Sequence, residues 1–152
     1  MIKRILDPDE FKKLLDEIEI LFDFENKNHG HRLVTHNKDH IFKAFGKTSI
    51  LTWDFFVWGN LNSSNKFDAF IAFVNNKNEK FGKEMFVEYL WLSKNPKVGH
   101  KLLGVALKFA REKDFKYVLM NCVDAHPNSD KVARFYKKMG FLKDSETYIA
   151  EL

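Results

Sequence analysis

The sequence predicts an α/β (α+β) fold, a single domain over residues 1–152 with a mixed, mostly antiparallel central sheet flanked by helices. Three observations carry this. The segments Ser49 to Trp58, Phe67 to Val74 and Lys83 to Leu92 are rich in aromatic and branched residues and are parted by turn-forming stretches, as in an antiparallel meander. Two amphipathic helical patterns then alternate with the nearly unbroken apolar run Phe115 to Val123, which suits a strand covered on both faces. The chain has 152 residues, 45% of them hydrophobic, enough for one core and too few to require a second domain.

Taken in order, Ile2 to Leu6 reads as a short strand. Asp7-Pro8-Asp9-Glu10 starts a helix: Asp7 caps free amides, Pro8 fits the first helical position and Glu10 completes a capping-box spacing. Phe11, Leu14, Leu15, Ile18, Leu21 and Phe22 recur at three- and four-residue intervals and give that helix one apolar face. Residues 24 to 36, polar with Asn26, Asn28 and Gly30, read as a loop before a short helix near Asp39 to Phe45. The three strands follow, separated by Gly59 to Asn65 and by Asn75 to Gly82. Asn95-Pro96 opens the next helix, with Val98, Leu102, Leu103, Ala106, Phe109 and Ala110 as its buried stripe and an end near Asp114. Asn128 or Ser129 caps the last helix, whose apolar face is Val132, Phe135, Tyr136 and Met139; Gly140 supplies a left-handed stop. Glu146 to Leu152 reads as a final strand.

Net charge is only +4, but it is uneven: residues 1 to 25 carry eight acids against four bases, and residues 94 to 116 seven bases against two acids. A local basic excess suits a phosphate-bearing ligand, whereas a nucleic-acid binder would show a stronger overall excess and a recognisable motif; nucleic acid is not an expected partner. The single cysteine, Cys122, excludes an intramolecular disulfide and offers no zinc cluster, which fits a reducing, cytoplasmic setting. No apolar run approaches the roughly 18 to 20 residues of a membrane span, and the start lacks the apolar stretch of a signal peptide.

The stretch from Met85 to Gly140 is the most informative. An apolar strand, Phe86-Val87-Glu88-Tyr89-Leu90-Trp91-Leu92, leads into the basic turn Lys97-Val98-Gly99-His100-Lys101 at a helix start; then come Tyr117-Val118-Leu119-Met120 and the run Phe135-Tyr136-Lys137-Lys138-Met139-Gly140-Phe141. In this order the segments resemble the second half of the GCN5-related N-acetyltransferase family; the ending Glu146 to Leu152 is similar to that of phage-encoded members. The resemblance covers residues 85 to 152. It implies acetyl-coenzyme A as co-substrate, no metal, an amine acceptor (small molecule or protein), and a monomer or homodimer.

Helix-start amides point outward and, with the helix dipole, bind anions. The expected pyrophosphate cradle is therefore built from the amides of Val98, Gly99, His100 and Lys101, with Lys94, Lys97 and Lys101 adding charge. Relative to the family pattern, Gly99 matches the last glycine, but Lys97 stands where an earlier glycine is expected and Pro96 removes one amide. The resemblance makes Tyr136 the proton donor to the leaving sulfur and places Asn128 or Ser129 near the pantetheine arm. Glu88 is the best-placed carboxylate to take the amine proton, with Glu84 as substitute, and a backbone amide near Trp91 or Leu92 would hold the thioester carbonyl. By strand alternation Glu88 shares a face with Phe86 and Leu90.

Other residues have plainer readings. Cys122 is expected to be a buried structural thiol, since its neighbours suggest no histidine or acid partner for a covalent acyl carrier. His29, His31, His36 and His40 match no zinc spacing. Trp53, Trp58 and the Phe-rich strands are most simply core. The altered turn also motivates a competing reading, a catalytically inactive member of the fold acting as an interaction or virion-associated protein.

Overall fold

A computed structural model describes residues 1–28, 37–46, 50–78, 83–122, 128–144 and 150. They divide into two compact units, one of residues 1–22 and 37–121, the other drawn from 23–36 and 122–152.

The first unit is built on a five-stranded sheet in the order β1-β2-β3-β4-β5, comprising β1 (Ile2–Ile5), β2 (Phe55–Leu61), β3 (Phe67–Asn78), β4 (Lys83–Ser93) and β5 (Val118–Leu119). The first four strands pair antiparallel and β5 joins β4 in parallel. Helices α1 (Pro8–Glu17) and α3 (Lys38–Phe45) and the start of α2 (Glu19–Asn28) serve one face, where Phe11, Leu14, Leu15, Ile18, Phe22 and Ile41 bury with Phe55, Val57, Phe70, Ala72, Leu90 and Leu92. Helix α4 (Pro96–Glu112) covers the other face through an aromatic cluster. There Phe86 stacks on Phe73 with ring centroids 4.1 Å apart and tilts against Phe56, Phe109 and Phe115.

Several expectations shift. The helix after Asp7 is capped as read, by the Asp7 carboxylate accepting from the Glu10 amide at 2.9 Å, but it breaks at Ile18, which leaves helical geometry at φ −96°, ψ 8°. The break keeps Ile18, Leu21 and Phe22 all buried. α2 then runs to Asn28 through residues expected to be a loop, because the asparagine-rich composition is only a weak prior against helix. β2 starts at Phe55 and not Ser49, since residues 51–53 form a turn with Trp53 at φ 63°; an aromatic-rich run does not reveal a turn of that kind.

Gly59 and Asn60, expected as turn, are strand because β1 pairs with them: Lys3 faces Gly59 and Ile2 faces Asn60. A Cβ on Gly59 would stand 2.6 Å from the Phe67 ring and 2.7 Å from a Leu14 methyl. Both neighbours are buried and have no room to yield. Gly59→Ala is therefore expected to cost about 1–3 kcal/mol, read as a lower urea midpoint at unchanged slope.

Among the described residues of the run Phe115 to Val123, Val118 and Leu119 form the two-residue strand β5, with Tyr117 exposed and Val118, Leu119 and Met120 half-buried. Among the described residues β5 has one sheet neighbour, β4.

In the second unit, α5 (Ser129–Lys138) starts after Asn128, whose side chain makes no capping bond. It stops as expected at Gly140, φ 88°. The Phe141 amide donates to Tyr136 O at 3.0 Å and the Gly140 amide to Lys137 O at 3.1 Å, a closing turn that favours glycine. Of the expected apolar face only Tyr136 is buried, against Phe135 and Phe141, while Met139 is exposed. The final strand at Glu146 to Leu152 lies, apart from Ala150, outside the described residues, as do His29, His31 and His36.

Candidate active site

The site in the first unit is shaped by an irregularity in β4. Phe73 of β3 faces Glu88 while its neighbour Ala72 faces Leu90, so Tyr89 is one residue more than the pairing uses, a β-bulge. Phe86 and Glu88 therefore point to the α4 side; Tyr89 and Leu90 both point to the α1 and α3 side, where Tyr89 meets Phe45 and Phe55. Trp91 returns to the α4 side and lies against Gly99. The expectation that Glu88 shares a face with Leu90 is thus corrected, because the bulge inverts the alternation between them.

Glu88 is buried, 7% exposed, and is the sole buried charged side chain among the described residues. Its Oε2 accepts from the Asn121 amide at 3.1 Å, and its backbone carbonyl accepts from Asn121 Nδ2 at 2.6 Å. Burial pushes the carboxyl up to about 7, against the opposing pull of the two Asn121 donors. A carboxylate so tuned is matched to accepting a proton near neutral pH. Glu84, the substitute, is exposed and has no comparable environment. Asn121 was not singled out from sequence. The available signal was a polar amide interrupting the apolar run Tyr117 to Cys122.

Pairing of β4 with β5 is confined to Phe86 with Val118 and Val87 with Leu119. The Phe86 amide donates to Tyr117 O, so residues whose side chains point to α4 turn their backbone groups to the β5 edge. After the bulge that residue is Trp91. Leu92 is buried on the opposite face, and its amide is directed to β3. Of the two positions considered for holding a carbonyl, Trp91 is the one facing the edge.

At the start of α4, Asn95 is the N-cap: its side-chain oxygen accepts from the Lys97 amide at 3.0 Å and its carbonyl from the Gly99 amide at 2.9 Å. Pro96 has no amide, and those of His100 and Lys101 belong to the helical ladder. The expected cradle of four amides is corrected to one, that of Val98. Gly99 is buried; an added Cβ would sit 3.3 Å from the Trp91 ring and 3.4 Å from Ser93 Cβ, so this glycine serves close contact between helix and strand. Lys94, Lys97, His100 and Lys101 are exposed around the helix start, keeping the positive charge that a polyphosphate requires.

In the second unit Tyr136 is buried on α5, Asn128 is exposed and Ser129 is half-buried. Cys122, expected to be buried, is exposed, with its Sγ donating to Ser129 O at 3.3 Å. His40 is exposed on α3. Among the described residues no cluster of His, Cys, Asp or Glu is placed to hold a metal ion, and no helix is long and apolar enough to cross a membrane.

Neither a family model nor a curated protein matches the sequence. Solved structures do. The chain is similar to an aminoglycoside acetyltransferase from an uncultured soil metagenomic sample in complex with sisomicin, at TM-score 0.67 and 17% identity over 100% of this chain and 96% of that one. It is also similar to the ribosomal-protein-alanine N-acetyltransferase of Brucella melitensis biovar Abortus 2308, at TM-score 0.67 and 12% identity over 100% and 99%. A Trypanosoma brucei acetyltransferase matches at TM-score 0.64 and 12% identity over the whole of both chains. The fold is that of the GCN5-related N-acetyltransferases.

Proposed function

We propose that this chain transfers the acetyl group of acetyl-coenzyme A to an amine, with Glu88 as proton acceptor. The carrying observation is the buried Glu88 carboxyl, raised to about 7 where the pairing of β4 and β5 ends, on a fold shared with acetyltransferases. Acetyl-coenzyme A supplies the activated acetyl group. The exposed Lys94, Lys97 and Lys101 meet its phosphates mainly by charge, the Val98 amide adding one donor. The β5-side edge of β4 beyond Val87 suits an extended arm, and the Trp91 backbone faces it. Glu88 takes the proton that the amine nitrogen releases on bonding to the acetyl carbon. The family resemblance assigns to Tyr136 the proton given to the sulfur as its bond to that carbon breaks, and to Asn128 or Ser129 a contact with the arm. Neighbours that act on an aminoglycoside and on a ribosomal protein make both small amines and protein amines acceptors to try.

Calorimetric titration with acetyl-coenzyme A tests the reading, and absence of binding at millimolar ligand would sink it. Given binding, Tyr136→Phe is expected to lower kcat by up to about 10²-fold, the low end of general-acid contributions, with little change in affinity for the donor. Equal turnover in the two proteins would remove Tyr136 from the chemistry.

A further inference from the structure

We infer that Asn121 is a positioning residue for Glu88: it fixes the carboxylate and, with the same side chain, marks where β4 and β5 cease to pair. This rests on the acetyltransferase reading given above for its catalytic consequence, but not for its geometry. The main-chain ladder between the strands ends at Val87 and Leu119. Two residues past the end of β5, Asn121 replaces it with a bridge of another kind, Nδ2 to the Glu88 carbonyl at 2.6 Å and backbone amide to Oε2 at 3.1 Å. One residue thus grips both the backbone and the charged tip of Glu88. With its stem held at the carbonyl and its tip at Oε2, the buried side chain is left few rotamers.

The surroundings leave this task to Asn121. On the same face Glu88 has the apolar rings of Phe73 and Phe86 for neighbours, and the side chains of α4 that meet this face are Phe109 and its apolar companions. No charged group from β3, β4, β5 or α4 enters the balance of forces on the carboxyl, which consists of burial on one side and Asn121 on the other. Both Asn121 donors favour the ionised form, the one that accepts a proton.

The test is a pH titration of the Glu88 carboxyl by carbon NMR in the whole chain, wild type against Asn121→Ala, which loses Nδ2 but keeps the backbone amide. The wild-type midpoint is expected at about 7 and the variant's higher by roughly half a unit to one unit. Asn121→Asp, of the same shape, serves if the alanine variant does not fold, and is expected to move the midpoint further up because it adds a negative charge. The acid limb of kcat/KM should move by the same amount. A midpoint unmoved in both variants, with activity lowered only in step with stability, would overturn the inference. The NMR shift without acetylation of any amine by the wild type would leave the clamp standing and remove the transferase reading.

Discussion

Glu88→Gln is expected to lower kcat/KM at pH 8 by about 10²–10⁴-fold and, at the same pH, to make the protein more stable by about 3 kcal/mol. The two effects have one origin. Burial raises the folded-state carboxyl from 4.5 to about 7, so the folded protein holds its proton where the unfolded chain has released it. The stability this confers is fully present below about pH 4.5 and is lost as pH rises through about 7. Catalysis runs the other way, because a proton acceptor works only once ionised. Urea unfolding at pH 5 and pH 8 should show the wild type weakening across that interval and Glu88→Gln holding nearly level, while the wild-type kcat/KM climbs. Parallel stability profiles in the two proteins would mean that Glu88 ionises at its ordinary value and would weaken its assignment as the base.

Phe86→Ala is expected to cost about 3–5 kcal/mol, a large share of the roughly 5–15 kcal/mol that holds a domain together. The ring is fully buried, stacks on Phe73 at 4.1 Å and touches Phe56, Phe109 and Phe115. Its loss opens a cavity lined by rings from β2, β3, α4 and the segment before β5, too stiff to collapse into it. Phe86→Leu, which keeps most of the volume, should cost clearly less, and denaturation midpoints of both variants measure the difference. If the two cost the same, the ring contacts would not be the source of the stability.

What could be read from sequence was what repeats or punctuates. The Asp7-Pro8 and Asn95-Pro96 starts, the apolar stripe of α4 and the Gly140 stop all rest on residues whose local chemistry leaves few alternatives, and each stands where the sequence places it. Features depending on a distant partner were not readable. Gly59 looks like turn until β1 lies beside it. Phe115 to Val123 reads as one long strand, yet among the described residues only Val118 and Leu119 pair, with β4. At the site, Glu88 was identifiable as an acid on the strand before the basic turn, but its burial comes from β3 and α4 and its tie from Asn121, 33 positions away. The helix start shows the opposite failure: local logic named four amides as a cradle, and the same local logic, an asparagine cap followed by proline, leaves only one outside the helical bonding.

The bulge at Tyr89 also sets where β4 tolerates a change of length. Every other residue of the strand has a partner on β3 to answer to, so one insertion or deletion there would turn all that follows to the wrong face. Tyr89 is surplus to the pairing, and its removal would leave Glu88 and Trp91 pointing to α4 and Leu90 to the opposite core. The strand thus holds its one spare residue immediately after its buried acid, and length variation at that point can reshape the sheet edge without exchanging the faces of the residues on either side.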